Sequence, residues 1–163
     1  MIGLGSEVLI FPSKDQRERV ENLSVGDEIF CHFTNSLVAI EDIMIRTIRR
    51  DNSNSYSEEL LAFEAIYSGE RIANQWNIIS RRLIPTVLPH GLESYLQNNA
   101  AILERAVSYS EVFSEEFFVQ FELRFSRAVL ASVGDFFCLF DANRWIERQF
   151  RRNEDVKPLL INA

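Results

Sequence analysis

The residues with types suited to chemistry are few. The chain of 163 residues holds two histidines, His32 and His90, and two cysteines, Cys31 and Cys138. Cys31 and His32 are adjacent in "EIFCHF", and neighbours on a strand point to opposite faces, so they are not placed to share one ion. Without clustered His, Cys, Asp or Glu at ligand spacing, no metal site is predicted. The two cysteines are too few for a disulfide framework and read as small apolar core residues. His32 in a strand pattern and His90 ahead of a helical one read as structural or surface histidines. Glu58, Glu59, Glu115 and Glu116 offer carboxylates for a glycosidase-type acid pair, but in a chain with 24 acidic residues they read as solvated edges. "GLG" at 3–5 runs into an extended segment rather than a helix, which fails the context of a dinucleotide loop, and Ser6 is not in a nucleophile elbow. No cofactor is predicted.

Arginine is the remaining candidate. Arg49-Arg50 and Arg81-Arg82 sit at strand ends, and Arg144, Arg148, Arg151 and Arg152 mark one side of a last helix. They read either as solvated faces balancing the acidic residues or as a patch for a carboxylate or phosphate partner, since the guanidinium fork pairs with both. Arg81, Arg82, Arg144 and Arg148 are the candidate binding residues.

The elements that must position these side chains are mostly short strands. "EVLIFP" is an apolar run stopped by Pro12, followed by a polar, turn-like "SKDQRE". Val20, Leu23 and Val25 read as core anchors of a connecting segment, and Gly26-Asp27 as a turn into the strand "EIFCHF". Residues 37–50, "LVAIEDIMIRTIRR", are rich in β-branched residues and predict a long strand pair. "DNSNSYS" at 51–57 is a loop. "LLAFEAIYSGERI" reads as strand, Ser-Gly turn, strand. Leu92, Tyr95, Leu96, Asn99, Leu103 and Ala106 share one face at helical spacing. "FVQFELRF" alternates with period two and is the strongest strand. "RAVLAS" and "FFCLF" form a hairpin about Val133-Gly134-Asp135, and Asp141 caps a final helix.

Composition sets the bounds. Length suits one domain, with 47% hydrophobic residues and 13 phenylalanines for an aromatic core. A formal charge of -7 argues against nucleic acid. No apolar stretch reaches the roughly 20 residues of a membrane span, and "MIGLGSEVLIFPSK" lacks the features of a signal peptide; a cytoplasmic location is expected. Phe117-Phe118 and Phe136-Phe137 put large apolar groups on both faces of their strands, which are either covered internally, by the helix, or form a homodimer face.

The stretch "GSEVLIFPSKDQRERVENLSVGDEIF" resembles the start of Hint (hedgehog/intein) domains, with Gly5-Ser6 where the family has Gly-Thr. Val20, Glu21, Leu23, Gly26, Asp27 and Ile29 fill its "V-E-x-L-x-x-G-D-x-V" pattern. "NIISRRLIPTV" is similar to the strand carrying the family's Thr-x-x-His motif, and "FELRFSRAVLASVGDFFCLFD" to the late segment of bacterial Hint domains. The resemblance implies a mostly β, Hint-like horseshoe or disc over 1–141, with a helical insertion at about 91–106, and a C-terminal helix and tail at 142–163. It also implies an N-to-S acyl shift, and there the residues depart. Met1 stands in place of the nucleophilic cysteine and, read as the first residue, has no preceding peptide bond; Ser80 matches the threonine, Leu83 replaces the histidine, and Ser126 stands near the late histidine. The chain ends "LLINA" in place of a His-Asn pair. Met1, Ser6, Ser80, Leu83 and Ser126 are thus candidates for a vestigial site. The expectation is a catalytically inactive Hint-like domain, a pseudoenzyme serving as a protein-binding or structural module. The alternative is a serine-dependent hydrolase, or residual autoprocessing.

Overall fold

A computed structural model describes residues 1–49, 60–67, 70–114 and 117–142. Ten of its strands are β1 (Ile2–Gly3), β2 (Glu7–Phe11), β3 (Gln16–Arg19), β4 (Glu28–Cys31), β5 (Ser36–Ala39), β6 (Asp42–Arg49), β7 (Leu60–Tyr67), β8 (Glu70–Ser80), β9 (Val107–Ser108) and β10 (Phe117–Arg124). The last hairpin is β11 (Val129–Val133) and β12 (Phe136–Phe140); the helices are α1 (Glu93–Leu103) and α2 (Tyr109–Val112). The chain is mostly β, in three antiparallel sheets: β6-β10-β1-β8-β7-β9, β12-β11-β2-β3, and β4-β5. The predicted loop at 51–57, Arg50, the Ser68-Gly69 turn, Glu58, Glu59, Glu115 and Glu116 lie outside the described residues. So do the last helix and tail beyond residue 142, with Arg144, Arg148, Arg151 and Arg152.

The period-two pattern of "FVQFELRF" becomes β10, paired with β6 on one side and β1 on the other. Cross-strand neighbours share a face. Ile45, Phe121, Ile2, Ile79 and Leu61 therefore line up across the large sheet, and the last four are buried in the main core with Val8, Val20, Ile29, Val129 and Phe136. The opposite face carries Ala62 and Ile78, over which α2 lays Tyr109 and Phe113.

Several expectations are modified. "SKDQRE" is a 3-10 turn at 12–14 followed by a strand, β3, which its charge concealed. Val20 and Leu23 are buried anchors, but Val25 is 60% exposed, because Gly26 (φ +93°) turns the chain outward beside it. Residues 37–50 give two strands paired elsewhere: β5 with β4, and β6 with β10. The predicted helix is α1, and a second short helix, α2, was not expected.

The aromatic pairs are largely covered within the chain. Phe136 is fully buried; Phe137 packs on Tyr95 of α1 at 4.4 Å between ring centroids, and Phe118 on Tyr109 at 4.7 Å. Of these four residues Phe117 alone is classed as exposed. Both cysteines are free and buried.

Candidate functional site

β1 is two residues long, yet it is inserted between β8 and β10, where Ile2 pairs with both Ile79 and Phe121. That insertion brings the carbonyl of Met1 to the amide of Ser80, which donates to it at 2.8 Å. Glycine at position 3 is required by the tightness of the fit: a Cβ there would sit 2.7 Å from the Ile78 Cβ. Just beyond, the Ser6 hydroxyl accepts from the Ile78 amide at 2.8 Å and donates to the Ile78 carbonyl at 3.2 Å. Met1, Ser6 and Ser80 thus gather about the last residues of β8.

The two blocks of the opening segment are also clipped together. Gly5 N–H donates to Glu21 Oε1 at 2.9 Å, and Val20 N–H to the Ser6 carbonyl at 2.8 Å. Asp27 holds the following turn by accepting from Ser24 N–H at 2.8 Å.

Chemically the gathered groups are quiet. Ser6 and Ser80 are fully buried. The Ser80 hydroxyl caps the 3-10 turn at 81–83 by accepting from Arg82 N–H at 3.3 Å. A nucleophilic serine needs a base within hydrogen-bond reach, and the hydroxyl contacts of Ser6 and Ser80 are with backbone. Leu83 packs on the main core. Ser126 is not brought across from Met1: β10 meets Ile2 at Phe121 and ends at Arg124, leaving Ser126 exposed beyond it. Arg81 and Arg82 are exposed on the turn after Ser80.

Cys138 lies in the main core with Ile2 and Ile79. Burial pushes its thiol up to about 12. A thiol so raised carries almost no thiolate at neutral pH.

The histidines lie elsewhere. His90 is on the surface, 3.1 Å from Glu93. His32 is set among Phe30, Tyr95 and Phe137, with its Nε2 buried and unbonded. Desolvation, aided by Arg17, lowers its pKa from the usual 6.5 to about 4.

A second polar cluster surrounds the β11–β12 turn. Arg17 and Ser132 both donate to the Gly134 carbonyl, Gly134 N–H donates to the Glu7 carbonyl, and Asn98 donates to the Asp135 carbonyl. Burial raises the Asp135 carboxyl, against the opposing pull of Arg17 and Arg105. The cluster fastens a turn through bonds to backbone, with Arg17 also donating to Asp15 Oδ1 at 3.1 Å. Among the described residues, no group of three or more His, Cys, Asp or Glu side chains is arranged to hold a metal ion, and no helix is long and apolar enough to cross a membrane.

No family model matches the chain, and neither a curated protein nor a solved structure matches it.

Proposed function

We propose that this is a Hint-like scaffold without the acyl-shift chemistry, acting as a protein-binding or structural module. One observation carries the reading. The first strand is threaded between β8 and β10, so that Met1 meets Ser80, the residue standing where the family has its threonine. The clip between Gly5-Ser6 and Val20-Glu21 adds support, since it ties together the two blocks on which the resemblance rests. The inert side of the reading follows from the groups themselves. A thioether has no proton to lose, Leu83 can transfer none, and the hydroxyls of Ser6 and Ser80 hold backbone. Arg81 and Arg82, exposed beside the vestigial centre, are the surface offered to an acidic partner.

The test is incubation of the full chain, and of a version with a short peptide fused ahead of Met1, with dithiothreitol or hydroxylamine across pH 6–9, read by mass spectrometry. Both are expected to stay intact. Introducing Met1→Cys and Leu83→His together into the fused version is expected to yield thiol-dependent release of the peptide. Cleavage of the parent chain would overturn the inert reading, and a fully inert double variant that remains folded would count against the scaffold.

A further inference from the structure

We infer that α1 is an acid-released cover: protonation of His32 lifts the helix from the edge of β12 while the sheets behind it stay folded. The inference stands apart from the centre at the end of β8.

An exposed sheet edge is a template for another strand, and proteins blunt such edges by shortness, charge or cover. β12, "FFCLF", is the outermost strand of its sheet and carries no charge. α1 supplies the cover. Asn99 acts as a substitute strand: its carboxamide donates to the Phe137 carbonyl and accepts from the Phe137 amide, both at 2.9 Å. Asn98 donates to the Asp135 carbonyl at 2.7 Å. Leu92, Tyr95 and Leu96 pack beside Leu88, Ala128, Leu130 and Leu139, and Ile102 anchors the far end of the helix in the main core.

This attachment is lighter than a strand ladder. α1 has eleven residues, and Leu92 at its N-cap supplies no side-chain bond. Helices shorter than roughly 12–15 residues are marginal in water on their own, so α1 persists through the contacts beneath it. β11, by contrast, is paired to β12 on one side and β2 on the other. Local opening begins in segments of the first kind.

His32 stands in the contact between helix and sheets. Its amide donates to the Leu130 carbonyl at 2.8 Å, which fixes the residue against β11. Its ring is nearly perpendicular to Phe30 and Phe137, at 5.0 and 4.9 Å between centroids, and tilted against Tyr95 at 5.5 Å. Phe30 and Phe137 belong to the sheets; Tyr95 belongs to α1. Nε2 is buried and has no partner. A neutral imidazole can keep that nitrogen as an idle acceptor. An imidazolium carries a proton on both nitrogens, and would hold a buried donor with nothing to receive it.

The charges around the ring do not compensate. From β3, Arg17 acts on it with like sign; Glu18 of the same strand is bonded to Asn22, and Arg19 is exposed. β11 and β12 carry no charged side chain, and Asp135 in the turn between them lies in the field of Arg17 and Arg105. In the hairpin that holds His32, Glu28 is exposed and Arg127 reaches Ser36. On α1, Tyr95 is the titratable side chain against the ring, while Glu93 and Glu104 are exposed. Moving α1 away removes one wall and lets water solvate the imidazolium, so protonation and closure oppose each other.

The folded pKa of about 4 lies below the ordinary 6.5 that the opened ring regains, so closure is intact above 6.5 and is lost as pH falls towards 4. Between pH 7 and pH 5 this linkage raises the ratio of open to closed by up to about 20-fold, less what solvent screens at a partly exposed ring.

The experiment is amide hydrogen exchange of the full chain, resolved by NMR, with each rate referred to the intrinsic rate at the same pH. The Phe137 amide is the sharpest reporter, since its acceptor is Asn99 of α1. Phe137 and the amides of α1 are expected to be at least about tenfold less protected than β11, with a shallower dependence on denaturant, because their opening exposes less surface than global unfolding. Their protection is expected to fall by roughly five- to twentyfold from pH 7 to pH 5. His32→Leu and His32→Phe, each with an unchanged circular dichroism spectrum, are expected to flatten that fall. Protection at Phe137 that is flat with pH in the parent chain, or that matches β11 in size and denaturant slope, would overturn the proposal. A folded His32 variant that keeps the fall would overturn it as well.

Discussion

Asn99 is the side chain on which the lid over β12 turns. It is 2% exposed, and its carboxamide makes two 2.9 Å bonds to the backbone of Phe137. Asn99→Ala removes both. Each is worth about 1 kcal/mol net, and the Phe137 amide and carbonyl are left without partners beneath a helix, which adds to the loss. The expected destabilisation is about 2–4 kcal/mol, a large share of the stability of an ordinary domain, and lowers Tm by roughly 5–15 °C. Asn99→Asp is the sharper probe. It keeps the shape but puts a carboxylate oxygen against the Phe137 carbonyl, so the folded state holds the acid protonated and its pKa is raised. Stability of that variant relative to the parent therefore falls as pH rises above the ordinary carboxylate range, near 4. Denaturant titrations at pH 4, 5 and 7 measure this, each referenced to the parent at the same pH because His32 gives the parent an acid dependence of its own. An Asn99→Ala variant within about 0.5 kcal/mol of the parent, or an Asn99→Asp variant whose deficit is flat with pH, would show that ring packing of Tyr95 on Phe137 holds α1 unaided.

His32 and Gly134 provide two further tests. The folded pKa of His32 lies near 4, below the unfolded 6.5, so its contribution is intact above 6.5 and is lost as pH falls towards 4. That loss is at most about 3 kcal/mol, less what solvent screens at a partly exposed ring; His32→Leu is expected to remove it, and an unchanged acid limb in thermal melts would refute the assignment. At Gly134, φ is +56° and a Cβ would lie 2.4 Å from Asn77 Nδ2, so Gly134→Ala is expected to cost about 2–4 kcal/mol. Adding Asn77→Ala should relieve the clash while leaving the backbone strain, and additive losses in that double-mutant cycle would contradict the contact.

What could be read from the sequence was what depends on period and turn chemistry. The alternation of Phe117 to Arg124, the hairpin about Gly134, the corner at Gly26-Asp27 and the helix around Tyr95 and Asn99 are all local signals, and each has its counterpart in β10, β11–β12, the turn before β4, and α1. Pairing is not local. Nothing in "DIMIRTIR" says that its partner is β10, far along the chain, rather than β5 beside it. β3 was hidden because "QRER" has no apolar alternation, although its backbone completes a ladder with β2 and its Arg17 donates to the Gly134 carbonyl. Asn99 was legible only as a polar residue on an apolar helical face. Its purpose needed the edge of β12 to be in view.

The candidate centre about the end of β8 was half legible for the same reason. The opening segment offered Met1 and Ser6 as candidates and "NIISRRLIPTV" offered Ser80, and strand pairing gathers these three about the end of β8, whereas Ser126 falls past the end of its strand. Cys138, buried in the main core with Ile2 and Ile79, carried no signal beyond being a cysteine in an apolar strand. Reactivity at such a centre requires a group that gives up a proton and another that takes it. Around the end of β8 the Ser6 and Ser80 hydroxyls are bonded to main chain and the side chain of Leu83 can transfer nothing, while the Cys138 thiol in the main core is held protonated by burial. The same bonds that leave the serines without a base also fix β1 between β8 and β10 and cap the turn at 81–83. Replacing Ser6 or Ser80 therefore tests packing before it tests chemistry, and loss of stability in those variants carries no information about catalysis. The informative change at this centre is the addition of reactive groups at Met1 and Leu83, since positions that are geometrically placed for a reaction can be recognised by what they do once given the atoms to do it.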